Sequence, residues 1–202
     1  KGDYLAIATL GMAEIIRVIF LNMDDITNGA AGLNGIPRFT SWLWLFVFTV
    51  LTLVIINNFV KSSQGRACIS IREDEIAAES MGINTTKYKV MAFAIGAFFA
   101  GIGGALYSSY FYFISPTIFG FQKSIDILVI VVFGGMGSIT GSVIAAILLA
   151  VITTMLQSYS ELRMIIYAAL LIAIMIFRPQ GLMGTKEVTD LFKFRRKDAK
   201  VE

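Results

Sequence analysis

Histidine is absent from this 202-residue chain, cysteine occurs once and proline three times. The missing histidine removes the commonest general base and metal ligand, and no cysteine–histidine cluster is left to hold zinc. A single cysteine excludes an internal disulfide. Beside small apolar neighbours, Cys68 reads as packing and not as chemistry. Charge is scarce as well: 15% of residues are charged and 56% are hydrophobic, against about 25% charged in soluble domains. The apolar runs hold no clustered carboxylates and no nucleophile–base pair, which disfavours a membrane enzyme. The Gly-x-x-x-x-Gly-Lys-Ser/Thr phosphate loop is missing too, so the chain is not expected to hydrolyse ATP, and no metal or cofactor site is expected in it.

What remains is long apolar runs. Phe39–Val60, Val90–Gln122 and Met164–Phe177 carry no charge, and Asp126 is the only charge between Ser124 and Ser160. A membrane-crossing helix needs about 20 mostly apolar residues. The expectation is therefore all-α: a polytopic integral membrane helical bundle of about five to six spans. The first span falls at Tyr4–Leu21, the second at Trp42–Val60 with Trp42 and Trp44 in the interfacial aromatic belt, and the third at Val90–Phe113. Gly101, Gly103, Gly104 and Ala105 give that third span a small-residue face for close packing. From Pro116 to Ala150 the apolar chain is broken by GGMGSITG, Gly134–Gly141, which fits two spans meeting at a glycine turn or one re-entrant element. A last span at Met164–Phe177 ends in FRPQGLMG, where Pro179 cannot continue a helix and Gly181 permits a sharp exit.

Two charges interrupt the first span. Glu14 and Arg17 are three apart and can pair on one helix face. Intramembrane charges are functional candidates, and the competing reading is an arginine snorkelling to the interface. Orientation follows from basic residues. Lys61, Arg66, Arg72, Lys87 and Lys89 sit in the polar insert 61–89, and seven more follow Phe177. Insert and C-terminus are expected on the cytoplasmic side, with Asn22–Ser41 outside. The chain divides into a transmembrane domain, 1–182, whose insert is a loop at 61–89, and a basic tail, 183–202. Basic residues beside spans report topology and lipid headgroups, not nucleic acid.

The insert contains GRACISIREDEIAAESMGIN, with four acidic residues between Arg72 and Glu79. Ser70 and Glu73 have capping-box spacing, Gly82 is placed to end a helix in the left-handed conformation, and Asn84 or Thr85 can cap the next. This predicts one helix of about 11 residues between Ser70 and Gly82. Arg72 can pair with Glu75, whereas Glu75 and Glu79 are a like-charged pair four apart. A solvated surface helix is the bland reading; a docking element for a soluble partner is the sharper one.

The same stretch, continued as GINTTKYKVMAFAIGAFFAGIGGALY, resembles the permease subunits of branched-chain amino-acid ABC importers. FISP (Phe113–Pro116), FGGMGS (Phe133–Ser138), FRPQGL (Phe177–Leu182) and the opening GDYLAIATLGMAEIIR are similar to that family as well. The resemblance implies that the chain lacks the family's first spans. It implies import of leucine, isoleucine or valine across the inner membrane with a second permease subunit, two cytoplasmic ATP-binding subunits that bind the ATP, and a periplasmic amino-acid-binding protein. It also implies that Arg72, Glu73, Asp74, Glu75, Ala77, Ala78, Glu79 and Gly82 couple the chain to the ATPase. The importer pattern Glu-Ala-Ala-x-x-x-Gly is met by Ala77, Ala78 and Gly82. Ile76 stands where the Glu would be, with Glu75 one residue early, and the pattern's Ile-x-Leu-Pro ending is not recognisable. A urea or short-chain amide permease of the same plan is the alternative. A self-contained channel or secondary transporter, with Glu14, Arg17 and Asp126 as a relay, is a more distant one. Substrate contacts are not assigned.

Overall fold

The structure, a computed structural model, describes residues 3–155, 172 and 181–184 and is 80% helical. Apart from Ile172, the last expected span, Met164–Phe177, lies outside the described residues, as does the tail beyond Gly184. Among those described, three helices are long and apolar enough to cross a membrane: α1 (Asp3–Leu21), α3 (Trp42–Lys61) and α6 (Thr85–Phe111). None of their apolar windows is buried inside the chain. Such exposure is costly in water but ordinary in lipid, where a helix satisfies its own backbone polar groups.

The chain divides into two compact units, one of Ile16–Ile118 and one of Lys1–Ile15 with the chain from Phe119 onward. In the first, the segment expected as an outside loop is built into a small cap. It contains the helix α2 (Asp24–Thr27), a 3-10 turn at Gly29–Ala31 and the strand β1 (Leu33–Asn34). β1 pairs antiparallel with β2 (Phe113–Ile114), setting Leu33 opposite Ile114. Gly32 makes this possible. Its φ is +72°, and a Cβ there would lie 2.5 Å from the Ile114 carbonyl oxygen. Arg38 stacks 5.3 Å over the Tyr112 ring, and Phe39 N–H donates to Ser109 Oγ at 3.1 Å.

α6 starts at Thr85, five residues before the span expected from composition, and its 27 residues exceed a bilayer-spanning helix by about 10 Å. Its first turns therefore carry Lys87 and Lys89 beyond the apolar stretch and into the polar insert.

The second unit contains the chain broken at GGMGSITG. α7 (Phe121–Gly134) and α8 (Ile139–Met155) form a hairpin there. α7 has 14 residues, about 21 Å at 1.5 Å per residue, short of the roughly 30 Å hydrocarbon thickness. Val129 and Phe133 on α7 pack with Ala145 and Leu149 on α8. Gly134 and Gly141 bring the two backbones together: a Cβ on Gly134 would lie 2.6 Å from Ser142 Cα, and one on Gly141 would lie 2.2 Å from the Gly134 carbonyl oxygen. Ser138 Oγ accepts from Gly141 N–H at 3.0 Å and so caps α8.

Two motifs distant in sequence meet at the end of α7. Leu182 N–H donates to the Phe133 carbonyl at 2.9 Å and Met183 N–H to the Gly134 carbonyl at 3.3 Å. Gly181, at φ +78°, lies so close to Gly135 that a Cβ would stand 2.5 Å from its Cα. The last carbonyls of α7, which no turn of helix can satisfy, are thus satisfied by the backbone that follows Gly181.

Candidate functional site

The insert between α3 and α6 folds as two short helices. α4 (Ser63–Glu73) turns back from the end of α3, with Ser62 Oγ accepting from Gly65 N–H at 3.1 Å. Gly65 is required at this corner because a Cβ would lie 2.2 Å from the Phe59 carbonyl oxygen and 2.5 Å from that of Val60. Asp74 is extended, at φ −152° and ψ 110°, and ends α4. It also starts α5 (Glu75–Ser80), its Oδ1 accepting from Ile76 N–H at 2.9 Å and Ala77 N–H at 3.0 Å. Two of the orphan N–H groups at the helix start are satisfied by one carboxylate.

This corrects the single helix predicted from Ser70 to Gly82. Ser70 lies inside α4, where its hydroxyl donates to the Ala67 carbonyl at 2.9 Å, so it caps nothing. The charge pairing differs as well. Arg72 Nε donates to Glu73 Oε1 at 3.1 Å and not to Glu75. Glu75 is 2.7 Å from Lys89 Nζ on α6, a partner that sequence spacing cannot supply.

The far end of α5 agrees with the sequence. Gly82 N–H donates to the Glu79 carbonyl at 2.9 Å and Ile83 N–H to that of Ala78 at 3.1 Å, a Schellman ending. Gly82 has φ +82°, the left-handed conformation that suits glycine. Asn84 Oδ1 then accepts from Lys87 N–H at 2.9 Å and starts α6.

Of the eight residues singled out from sequence, Arg72, Glu73, Asp74, Ala77, Glu79 and Gly82 are exposed, Glu75 is half-buried and Ala78 is buried. The two alanines therefore differ in environment: Ala78 is 4% exposed and packs inside the insert, while Ala77 faces out. Sequence reasoning missed Asp74 as a cap, Gly65 as a corner and Lys89 as a partner. The first had a visible signal, an acidic residue just ahead of Glu-Ile-Ala-Ala. Half-buried Cys68 lies 3.7 Å from the Tyr88 carbonyl of α6, and burial pushes its thiol above the ordinary range.

The arrangement holds, among the described residues, no group of His, Cys, Asp or Glu that could bind a metal ion. It is a short helix, capped at each end and joined to a long apolar helix through Asn84 and the Glu75–Lys89 pair.

A family model described as branched-chain amino acid transport system / permease component matches residues 1–175. The chain is 37% identical to the high-affinity branched-chain amino acid transport system permease protein LivM of Salmonella typhimurium, over 91% of this chain and 51% of the relative. It is 33% identical to LivH of the same organism, over 71% of this chain and 47% of the relative, and 31% identical to BraD of Pseudomonas aeruginosa, over 79% and 53%. The chain thus spans about half the length of the curated relatives it matches. No solved structure matches it.

Proposed function

We propose, given that this chain belongs to the family of branched-chain amino acid transport system permease components, that it is the membrane-spanning part of an ATP-driven importer of leucine, isoleucine or valine. α5 carries the reading. It is a helix with a cap at each end, exposed on most of its surface, and set between two helices long enough to cross a membrane.

In this reading the insert 61–89 and the C-terminus lie in the cytoplasm and the membrane is the inner one. ATP is bound and hydrolysed by two separate cytoplasmic subunits, a second permease subunit completes the pathway, and a periplasmic binding protein delivers the amino acid. This chain itself holds no cofactor and no metal. Closure of the ATP-binding subunits pushes α5, and Asn84, Gly82 and the Glu75–Lys89 pair pass the movement to α6. Arg72, Glu73, Asp74, Glu79 and Ala77 present the outward surface, and Ala78 seats the helix on its own insert.

Uptake of labelled leucine and labelled urea, by cells expressing the intact parent system with and without its ATP-binding and periplasmic subunits, tests this. Leucine uptake that vanishes with either partner removed is the expected outcome. Urea uptake alone would assign the chain to an amide permease of the same plan, and uptake without partners would overturn the reading.

A further inference from the structure

We infer, resting on that coupling role of α5, that Ile76 and Met81 are the anchors that seat the helix, in a groove of the ATP-binding subunit with an apolar floor and a basic rim. Between Ser62 and Asn84 these two are the most exposed large apolar side chains, at 78% and 83%. They occur on and just beyond a helix of six residues. Ala78, the small residue expected to let the helix approach its partner, is turned inward at 4% exposure. Ile76 lies two residues before it, about 200° round the helix at 100° per residue, and so points away from the insert.

Lipid is the competing cover for exposed apolar side chains, and the charges argue against it. From Arg72 to Glu79 four carboxylates stand against one guanidinium, and Glu73, Asp74 and Glu79 are all exposed. Anionic headgroups attract basic segments and repel such a surface. Of the insert's other bases, Lys61 ends α3, Lys87 and Lys89 lie in the first turns of α6, and Arg66 on α4 donates to the Lys61 carbonyl at 2.7 Å. Acid is thereby concentrated on α5 and its N-terminal flank and base at the roots of the spans, with Glu75 reaching Lys89 between the two. Exposed apolar side chains on the flank and at the end of a helix fringed by acid fit a protein groove whose rim is basic. The apolar side chains supply affinity on desolvation, and the charges supply register and on-rate. Met81 suits such a seat because its unbranched side chain adapts to an irregular floor.

The test uses the intact parent protein assembled with its ATP-binding subunits in nanodiscs containing anionic lipid. The double variant Ile76→Ser/Met81→Ser is expected to retain at least tenfold less ATP-binding subunit on purification, with Ile76→Leu/Met81→Leu keeping near-parental retention. A photo-cross-linking residue at exposed Ser80 is expected to capture the ATP-binding subunit. Glu79→Gln is expected to weaken the association and reduce its sensitivity to salt. Full retention by the serine variant while position 80 still captures that subunit would overturn the anchors and leave the coupling helix standing. Capture of lipid alone from position 80 would overturn both.

Discussion

The α4–α5 insert and the α7–α8 hairpin each reverse the chain sharply, and they weight side-chain capping and close backbone approach differently. In the insert, polar side chains start the helices, with one close approach at Gly65: Ser62, Asp74 and Asn84 each accept from backbone N–H groups. In the hairpin the backbone is brought close by residues that have no side chain. Gly134 meets Gly141, Gly181 meets Gly135, and the free carbonyls of α7 are met by the N–H groups of Leu182 and Met183. The difference follows from the surroundings. A charged cap such as Asp74 tolerates water, whereas an apolar hairpin must satisfy its backbone internally, since an unpaired polar group there costs several kcal/mol. Where the surroundings are apolar, close packing itself supplies the attraction. Even so, the hairpin keeps one polar cap, Ser138, and that residue is buried.

Gly134→Val strikes the hairpin hardest. Its side chain would stand 2.6 Å from backbone atoms of Gly141 and Ser142, and a loss of about 3 kcal/mol or more is expected. It would appear as a lower unfolding temperature of the purified protein in detergent; an unchanged temperature would remove the close-approach account. Ala78→Leu tests the inward face of α5. Overpacking there is expected to cost about 2 kcal/mol, loosening amide-exchange protection across residues 75–83 while α7 and α8 stay protected. Protection lost equally in both regions would mean that they are not independent.

Asp74→Ala should cost about 1 kcal/mol by removing a helix cap. The loss should be confined to α5, read as faster exchange at Ile76 and Ala77, the two amides that the carboxylate now holds. Lys89→Ala is the mildest change. The pair it breaks is partly exposed on both sides and contributes about 0.5 kcal/mol. Raising the salt concentration should erase most of the difference between Lys89→Ala and the parent protein. A salt-independent loss above that size would show that Lys89 acts through packing.

The sequence was most legible where the controlling physics is local. Long apolar runs placed α1, α3 and α6 to within a few residues, and Gly82 and Asn84 were readable because a left-handed φ and a helix start each favour particular residue types. The same local reasoning went astray at Ser70. Its spacing to Glu73 fits a cap, but α4 had already begun at Ser63. Of the site residues, Glu73, Asp74, Glu79 and Ala77 are exposed, while the half-burial of Glu75 and the burial of Ala78 were not foreseen because they depend on how the helices of the insert pack.

By itself the sequence determined that this chain is a helical membrane protein of the branched-chain amino acid permease family, and that a capped polar segment separates two of its long apolar helices. Composition and short-range spacing are enough for the helices and the capped segment, because lipid tolerates only backbones that satisfy themselves; the family was legible in the wording of its motifs. Tertiary structure decided where the insert breaks, that Glu75 reaches Lys89, that only glycine fits at position 65, and that Gly181 settles on Gly135. Each of those depends on atoms brought within a few ångströms by the path of the chain, and no spacing along the sequence encodes such a distance.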